Sequence, residues 1–185
     1  LAAIRGYLEL LLDGEAGPLA GQQAEYLHIV DSSAQRLLHL SNQLLDSTRI
    51  ETGRLDLVLQ HTDLVELLHN VILELGPRFT AKAQRIVERA ATGLPPCLCD
   101  VARAAQIMGN LLDNASKYSP PNSTITVTLR RADEDGFVQL AVQDEGIGIA
   151  ADETADLFTP FYRAPGARQI SASGVGLGLH IASSL

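Results

Sequence analysis

The sequence predicts an α+β protein, a helical hairpin followed by a domain of helices packed on a sheet. Three patterns predict it. From about Leu19 to Thr52, Leu27, Val30, Ala34, Leu37, Leu38, Ser41, Leu44, Leu45 and Thr48 form a stripe with helical 3-4 spacing. Ile125, Val127 and Leu129, then Val138, Leu140 and Val142, alternate with polar residues as strands do. Before them, residues 101–117 repeat the helical spacing with Ala104, Met108, Leu111, Leu112 and Ala115 on one face.

Taken in order, Ile4, Leu8, Leu11 and Leu12 share one face of a first helix over residues 1–12. Residues 13–18, with Gly14, Gly17 and Pro18, break it. The long helix that follows would run on the order of 50 Å. It is too one-sided to be stable alone and needs the first helix and a second copy of itself. A hairpin that dimerises into a four-helix bundle meets that need, and Gly53 ends the helix. We therefore divide the chain into a dimerisation hairpin, 1–52, and a second domain, 53–185.

In the second domain, Leu55, Leu57 and Leu59 alternate as a strand. Thr62 or Asp63 can cap a helix over about 63–81. Ile86-Val87 is a short strand, Pro95-Pro96 a break, and Asp100 a cap for the helix over 101–117. The charged turn from Arg130 to Gly136 makes a hairpin of the two alternating strands. Residues 160–175, rich in Pro, Gly, Ser and Ala, read as a mobile loop, and a helix opens near Val175.

Composition excludes several classes. A net charge of −8 argues against a nucleic-acid or anionic-membrane surface. No apolar run is long enough to span a bilayer. Cys97 and Cys99 are the only cysteines, too few for a zinc site, and read as small strand residues.

Three segments carry chemistry. On the helix at 101–117, Asn110, Asn114 and Lys117 lie opposite the apolar face, four and three residues apart. A solvated face would carry Glu and Lys, and Asn is a mediocre helix former, so two amides in register suggest a task. An amide oxygen suits Mg²⁺, and a lysine one turn on can meet a phosphate. A merely polar helix face is the alternative. Second, Asp144 ends a strand, where its carboxylate can accept a hydrogen bond from an exocyclic amine such as adenine's. Gly146, Ile147 and Gly148 follow, and the glycines let backbone approach a ligand. Gly146-x-Gly148-x-x-Ala151 also fits a dinucleotide fingerprint. That reading needs an acid roughly 20 residues on, and no Asp or Glu follows Asp156. Third, Gly174, Gly176, Leu177 and Gly178 enter a helix, as phosphate-binding loops do. No Gly-Lys pair occurs, which excludes a Walker loop, and Arg163 and Arg168 make the end of the chain locally basic.

Together these segments are specific. Asn-Leu-Leu-Asp-Asn-Ala-Ser-Lys-Tyr-Ser-Pro at 110–120 resembles the N box of sensor histidine kinases. Asp144 to Gly148 resembles their first glycine box, Leu157 to Arg163 their F box, and Gly174 to Leu179 their second glycine box. Order and spacing agree along essentially the whole chain. The resemblance implies a Bergerat-type α/β sandwich holding ATP under a flexible lid, here about 160–175. It implies that Asn114 ligates Mg²⁺ with Asn110 in support, that Lys117 contacts phosphate, and that Tyr118 lines the nucleotide site. It implies adenine recognition by Asp144 and an approach of Arg163 to the phosphates. Partners implied are a second copy through the hairpin and a response-regulator receiver domain. The implied setting is the cytoplasmic part of a membrane-bound sensor, with any membrane segment elsewhere in the protein.

The related ATPases of type II topoisomerases, mismatch repair and large heat-shock chaperones place a water-activating Glu four residues before the Mg²⁺ asparagine. This chain has Asn110 there, and an amide is no general base, so transfer is expected over hydrolysis. The family's phosphoacceptor histidine is expected just before Leu1, and further strands after Leu185. His28 and His39 on the long helix lack the acidic neighbour and following Pro of the acceptor box and read as surface or interface residues. The alternative to a kinase is a degenerate relative that binds nucleotide, or only dimerises, to regulate a partner.

Overall fold

A computed structural model describes residues 2–134, 136–170 and 174–185, leaving out the side chains of Ala2, Arg5, His39, Arg168, Gln169 and Ile170. The chain divides into two compact units, Leu1–Thr48 and Arg49–Leu185. The first contains helix α1, Ala2–Leu12, and most of helix α2, Gly21–Glu51. Leu8 and Ala34 are buried, while Val30, Leu37, Leu44 and Leu45 of the predicted stripe stay exposed. That exposed apolar face is the one expected to pack against a second copy. At the end of α2, Gly53 adopts φ +62°. The Gly53 N–H donates to the Ile50 carbonyl, and the Arg54 N–H to that of Arg49. This is the paired bonding of a left-handed helix cap, which favours glycine.

The second unit holds a three-stranded mixed sheet. Strand β2 (Arg85–Ala90) runs parallel to β4 (Thr124–Arg131), which pairs antiparallel with β5 (Val138–Gln143). A separate antiparallel pair joins β1 (Gln60–Thr62) to β3 (Cys97–Cys99). Helices α3 (Leu64–Ala81) and α4 (Val101–Tyr118) contribute one side of the core: Leu68, Val71, Ile72 and Phe79 from α3, with Met108, Leu112 and Ala115 from α4. The sheet contributes Ile125, Val127 and Leu129, alternate residues of the central strand, all essentially inaccessible. Period two in β4 thus meets period 3.6 in the helices, and each buries its apolar set. A short 3₁₀ turn, Thr154–Asp156, and helices α5 (Pro165–Ile170) and α6 (Gly178–Ser184) complete the unit.

Both predicted caps form. The Asp63 carboxylate accepts from the N–H groups of Val65 and Glu66, and Asp100 from that of Arg103. Three expectations need correction. No strand forms at Leu55, Leu57 and Leu59; pairing begins only at Gln60. The Val58 N–H donates to the Asp100 carboxylate at 2.9 Å, so the segment is held by a helix cap and not by a neighbouring strand. The predicted loop at 160–175 contains α5, opened by Pro165, whose fixed φ suits a first helical position; residues 171–173 lie outside the described ones. The last helix starts at Gly178 and not near Val175, because Gly174 and Gly176 take φ +111° and +80°. Cys97 and Cys99 are free thiols in β3, as the sequence predicts. Burial, with Cys99 close by, pushes the Cys97 thiol above its usual value.

Asp100 also makes a pH prediction. Its carboxyl lies below the ordinary carboxylate range, first because of the Val58 N–H bond and next that of Arg103. A depressed value means that the charged form stabilises the fold above the unfolded-state value, and that this is lost as pH falls through the folded one. Asp100→Asn should therefore flatten the acid limb of a melting temperature versus pH profile below roughly pH 4. Parallel wild-type and variant profiles there would reject this role.

Candidate functional site

The N-terminal end of α6, the polar face of α4 and the turn after β5 meet in the second unit. The Asn110 amide Nδ2 donates to the Gly178 carbonyl at 3.1 Å, tying the middle of α4 to the start of α6. The Lys117 ammonium, one turn after Asn114 on α4, lies directly against Gly174, where any Cβ would collide with it. It also sits 5.1 Å from the centroid of the Tyr118 ring. Asn110, Asn114, Lys117 and Tyr118 are all half-buried, unlike side chains of a fully solvated face.

The turn after β5 reaches the same end of α4. The Gly146 N–H donates to Asp144 Oδ1 at 2.8 Å. A Cβ on Gly146 would stand 2.6 Å from that oxygen and 3.0 Å from the Tyr118 carbonyl, so glycine is what lets the two segments touch. Gly148 differs: its φ is +69°, yet a Cβ there would meet nothing within 4 Å, which leaves open space over the turn. Glu145 faces the sheet, its carboxylate accepting the Thr124 N–H at 2.9 Å.

The glycine turn before α6 is docked on residues 158–163. The Phe161 N–H donates to the Gly176 carbonyl at 3.0 Å. His180 Nδ1 lies 3.1 Å from the Phe158 carbonyl, which makes that nitrogen the donor. Leu177 and Ile181 are buried anchors of this corner. Gly166 of α5 packs beside Ile147, whose Cδ1 a Cβ would approach at 3.4 Å. Arg163 Nη2 reaches the Ala167 carbonyl at 3.5 Å, so its guanidinium is turned toward α5. The Arg168 side chain lies outside the described ones.

The structure thus brings Asn110, Lys117, Tyr118, Asp144, Gly146, Gly174 and Gly178 into one connected corner, with Asn114 on the helix turn between. Large apolar side chains remain exposed in the same segments: Ile147, Ile149, Phe158 and Phe161. A surface cleft lined by His61, Asp63, Glu66 and Asn70 lies between β1 and α3, apart from this corner. Two residues outside the sequence prediction also belong to the corner built on α4. Lys82 and Gln84, just after α3, bond the carbonyls at the C-terminal end of α4. Nothing periodic marks them; a lysine at a helix end ahead of a polar residue entering a strand was the only signal.

The family model for His Kinase A (phospho-acceptor) domains matches residues 1–53, and that for histidine kinase-, DNA gyrase B- and HSP90-like ATPases matches residues 99–185. The sensor histidine kinase GacS of Pseudomonas protegens is 32% identical over the whole of this chain, which spans 20% of that protein. The non-motile and phage-resistance protein of Caulobacter vibrioides is 31% identical over the whole chain, which spans 22% of it. The chain therefore covers about a fifth of these relatives. Among solved structures, full-length ShkA in complex with AMPPNP matches 99% of the chain with TM-score 0.78 and 30% identity, over 37% of its own length. The histidine kinase AdeS of Acinetobacter baumannii shares the fold, with TM-score 0.69 over 99% of this chain and 81% of its own, at 23% identity. With both domain types present in family order on the matching fold, the chain belongs to the sensor histidine kinases.

Proposed function

We propose that this chain binds ATP with Mg²⁺ and supplies the γ-phosphoryl group to a histidine of its kinase, from which it passes to an aspartate of a response-regulator receiver domain. The observation that carries the reading is the convergence of Asn110, Lys117 and Asp144 with glycines whose missing side chains let three segments close on one another. In this reading Asp144 accepts the adenine amine, and Tyr118 and Ile147 line the base. Gly146 and Gly148 let the backbone approach it. Lys117 faces the phosphates, and Arg163, whose guanidinium bonds the Ala167 carbonyl, approaches them from the α5 side. Gly174, Gly176, Leu177 and Gly178 offer backbone N–H groups at the start of α6.

The donor set suits magnesium that arrives with the nucleotide. Among the described residues, no three His, Cys, Asp or Glu side chains form a group able to hold a metal. The Asn114 amide oxygen would hold the ion, since Mg²⁺ commonly shares a protein oxygen with phosphates and water. When bound, the ion neutralises phosphate charge. Asn110 is engaged with Gly178, and its amide cannot take a proton from water, which favours transfer over hydrolysis. The exposed face of α2 fits homodimerisation through the helical hairpin. No described helix is long and apolar enough to cross a membrane, so attachment of a membrane-bound sensor would lie in other segments, with this part on the cytoplasmic side.

The test is labelling of the full-length protein with γ-labelled ATP and Mg²⁺. The expected product is acid-labile, base-stable phosphohistidine, retained when His28 and His39 are both replaced by alanine. Phosphate release without protein label would point to an ATPase and contradict the proposal.

A further inference from the structure

We infer that Lys82 is a positioning residue of the nucleotide site, holding the C-terminal end of α4 and cancelling the negative potential of that helix end beside the bound phosphates. The inference rests on the nucleotide reading above.

The last carbonyls of a helix have no partner within it, and together they carry roughly half a negative charge. In α4 that end falls at Lys117 and Tyr118, two of the residues proposed to face the nucleotide. An anionic triphosphate beside such an end is disfavoured unless something offsets it. No glycine cap does so: Ser119, which follows the helix, is extended, with φ −88° and ψ 147°. Lys82 takes the place of a cap. Its ammonium donates to the carbonyls of Ser116, Lys117 and Ser119 at 2.7, 3.0 and 3.1 Å. Three acceptors match the three donors of an ammonium, and all three lie at this one helix end.

Gln84 completes the hold from a buried position. Its Nε2 lies 3.0 Å from the Ser116 carbonyl and 3.2 Å from that of Pro120, while the Ser116 hydroxyl donates to its Oε1 at 2.6 Å. The backbone closes the same seam, with the Asn122 N–H donating to the Lys82 carbonyl at 2.9 Å. The α3–β2 junction is thereby stitched to the α4–β4 junction. Because Gly146 rests on the Tyr118 carbonyl and Gly174 on the Lys117 ammonium, a shift of this helix end would move both glycine turns.

A residue that only holds the fold would affect every ligand alike. One that also offsets helix charge affects phosphates more than the base. The test compares dissociation constants for Mg-ATP and for adenosine in the full-length protein. Lys82→Met should weaken Mg-ATP roughly fivefold and adenosine less than about twofold. Lys82→Arg should restore Mg-ATP to near wild type. Lys82→Gln keeps donors while removing charge, so it should show the same selective loss if Lys82→Met does not fold. Unchanged Mg-ATP binding in the neutral variants, an equal loss of both ligands, or no rescue by arginine would overturn the inference. A wild-type protein that binds neither ligand would overturn the nucleotide reading itself, and this inference with it.

Discussion

Asp144→Asn is expected to weaken ATP binding roughly 100-fold, with little change in thermal stability. One carboxylate oxygen, Oδ1, already accepts the Gly146 N–H at 2.8 Å and shapes the turn. An asparagine oxygen can make that bond equally well, so the turn should survive. The second position then becomes an NH₂ group. A donor would face the adenine amine, also a donor, and a lost bond becomes a mismatch between two unpaired polar groups. Asp144 is exposed, so neither charge burial nor packing obscures the result. Titration calorimetry reads it directly. ATP affinity within a few-fold of wild type would remove Asp144 from adenine recognition.

Gly176→Ala should be the most damaging small substitution in the second glycine turn. An added Cβ would stand 2.5 Å from the Tyr162 carbonyl oxygen and 2.8 Å from the Phe161 carbonyl carbon, both backbone atoms that cannot rotate away. The φ of +80° adds left-handed strain. The turn would have to lift from residues 161–162, pulling on Leu177, which is 1% exposed. We expect a stability loss on the order of 3 kcal/mol and loss of measurable ATP binding. Gly148→Ala is the comparison. It shares a positive φ of +69° but opens onto free space, so it should cost only about 1 kcal/mol. Equal melting temperatures for the two variants would show that the Gly176 contact does not hold the turn.

Much of this organisation was legible in the sequence because it rests on local rules. Asp63 and Asp100 announced the starts of α3 and α4, and Ile125, Val127 and Leu129 announced the buried face of β4. The order of the candidate segments was legible as well: two amides, Asn110 and Asn114, stand on a helix face where Glu and Lys are usual, and Asp144 ends a strand ahead of Gly146 and Gly148. The errors came where long-range bonds override local pattern. Residues 55–59 alternate like a strand, yet Val58 is claimed by Asp100, 42 residues away. Lys82 and Gln84 have neither periodicity nor motif, and their meaning arises only when the α3–β2 junction folds against the end of α4. In the same way, a glycine-rich run reads as mobile until the atoms that replace its missing side chains are seen, as Phe161 and Tyr162 are at Gly176.

The central claim is that α4, the turn after β5 and the turn before α6 form one adenine-nucleotide site. Its most direct measurement is a calorimetric titration of the full-length protein with ATP and with GTP, each with Mg²⁺. The account predicts saturable binding of one ATP per chain and, since Asp144 offers an acceptor to an amine that guanine lacks at that position, at least about tenfold weaker binding of GTP. Absence of ATP binding, or equal affinity for the two nucleotides, would contradict it.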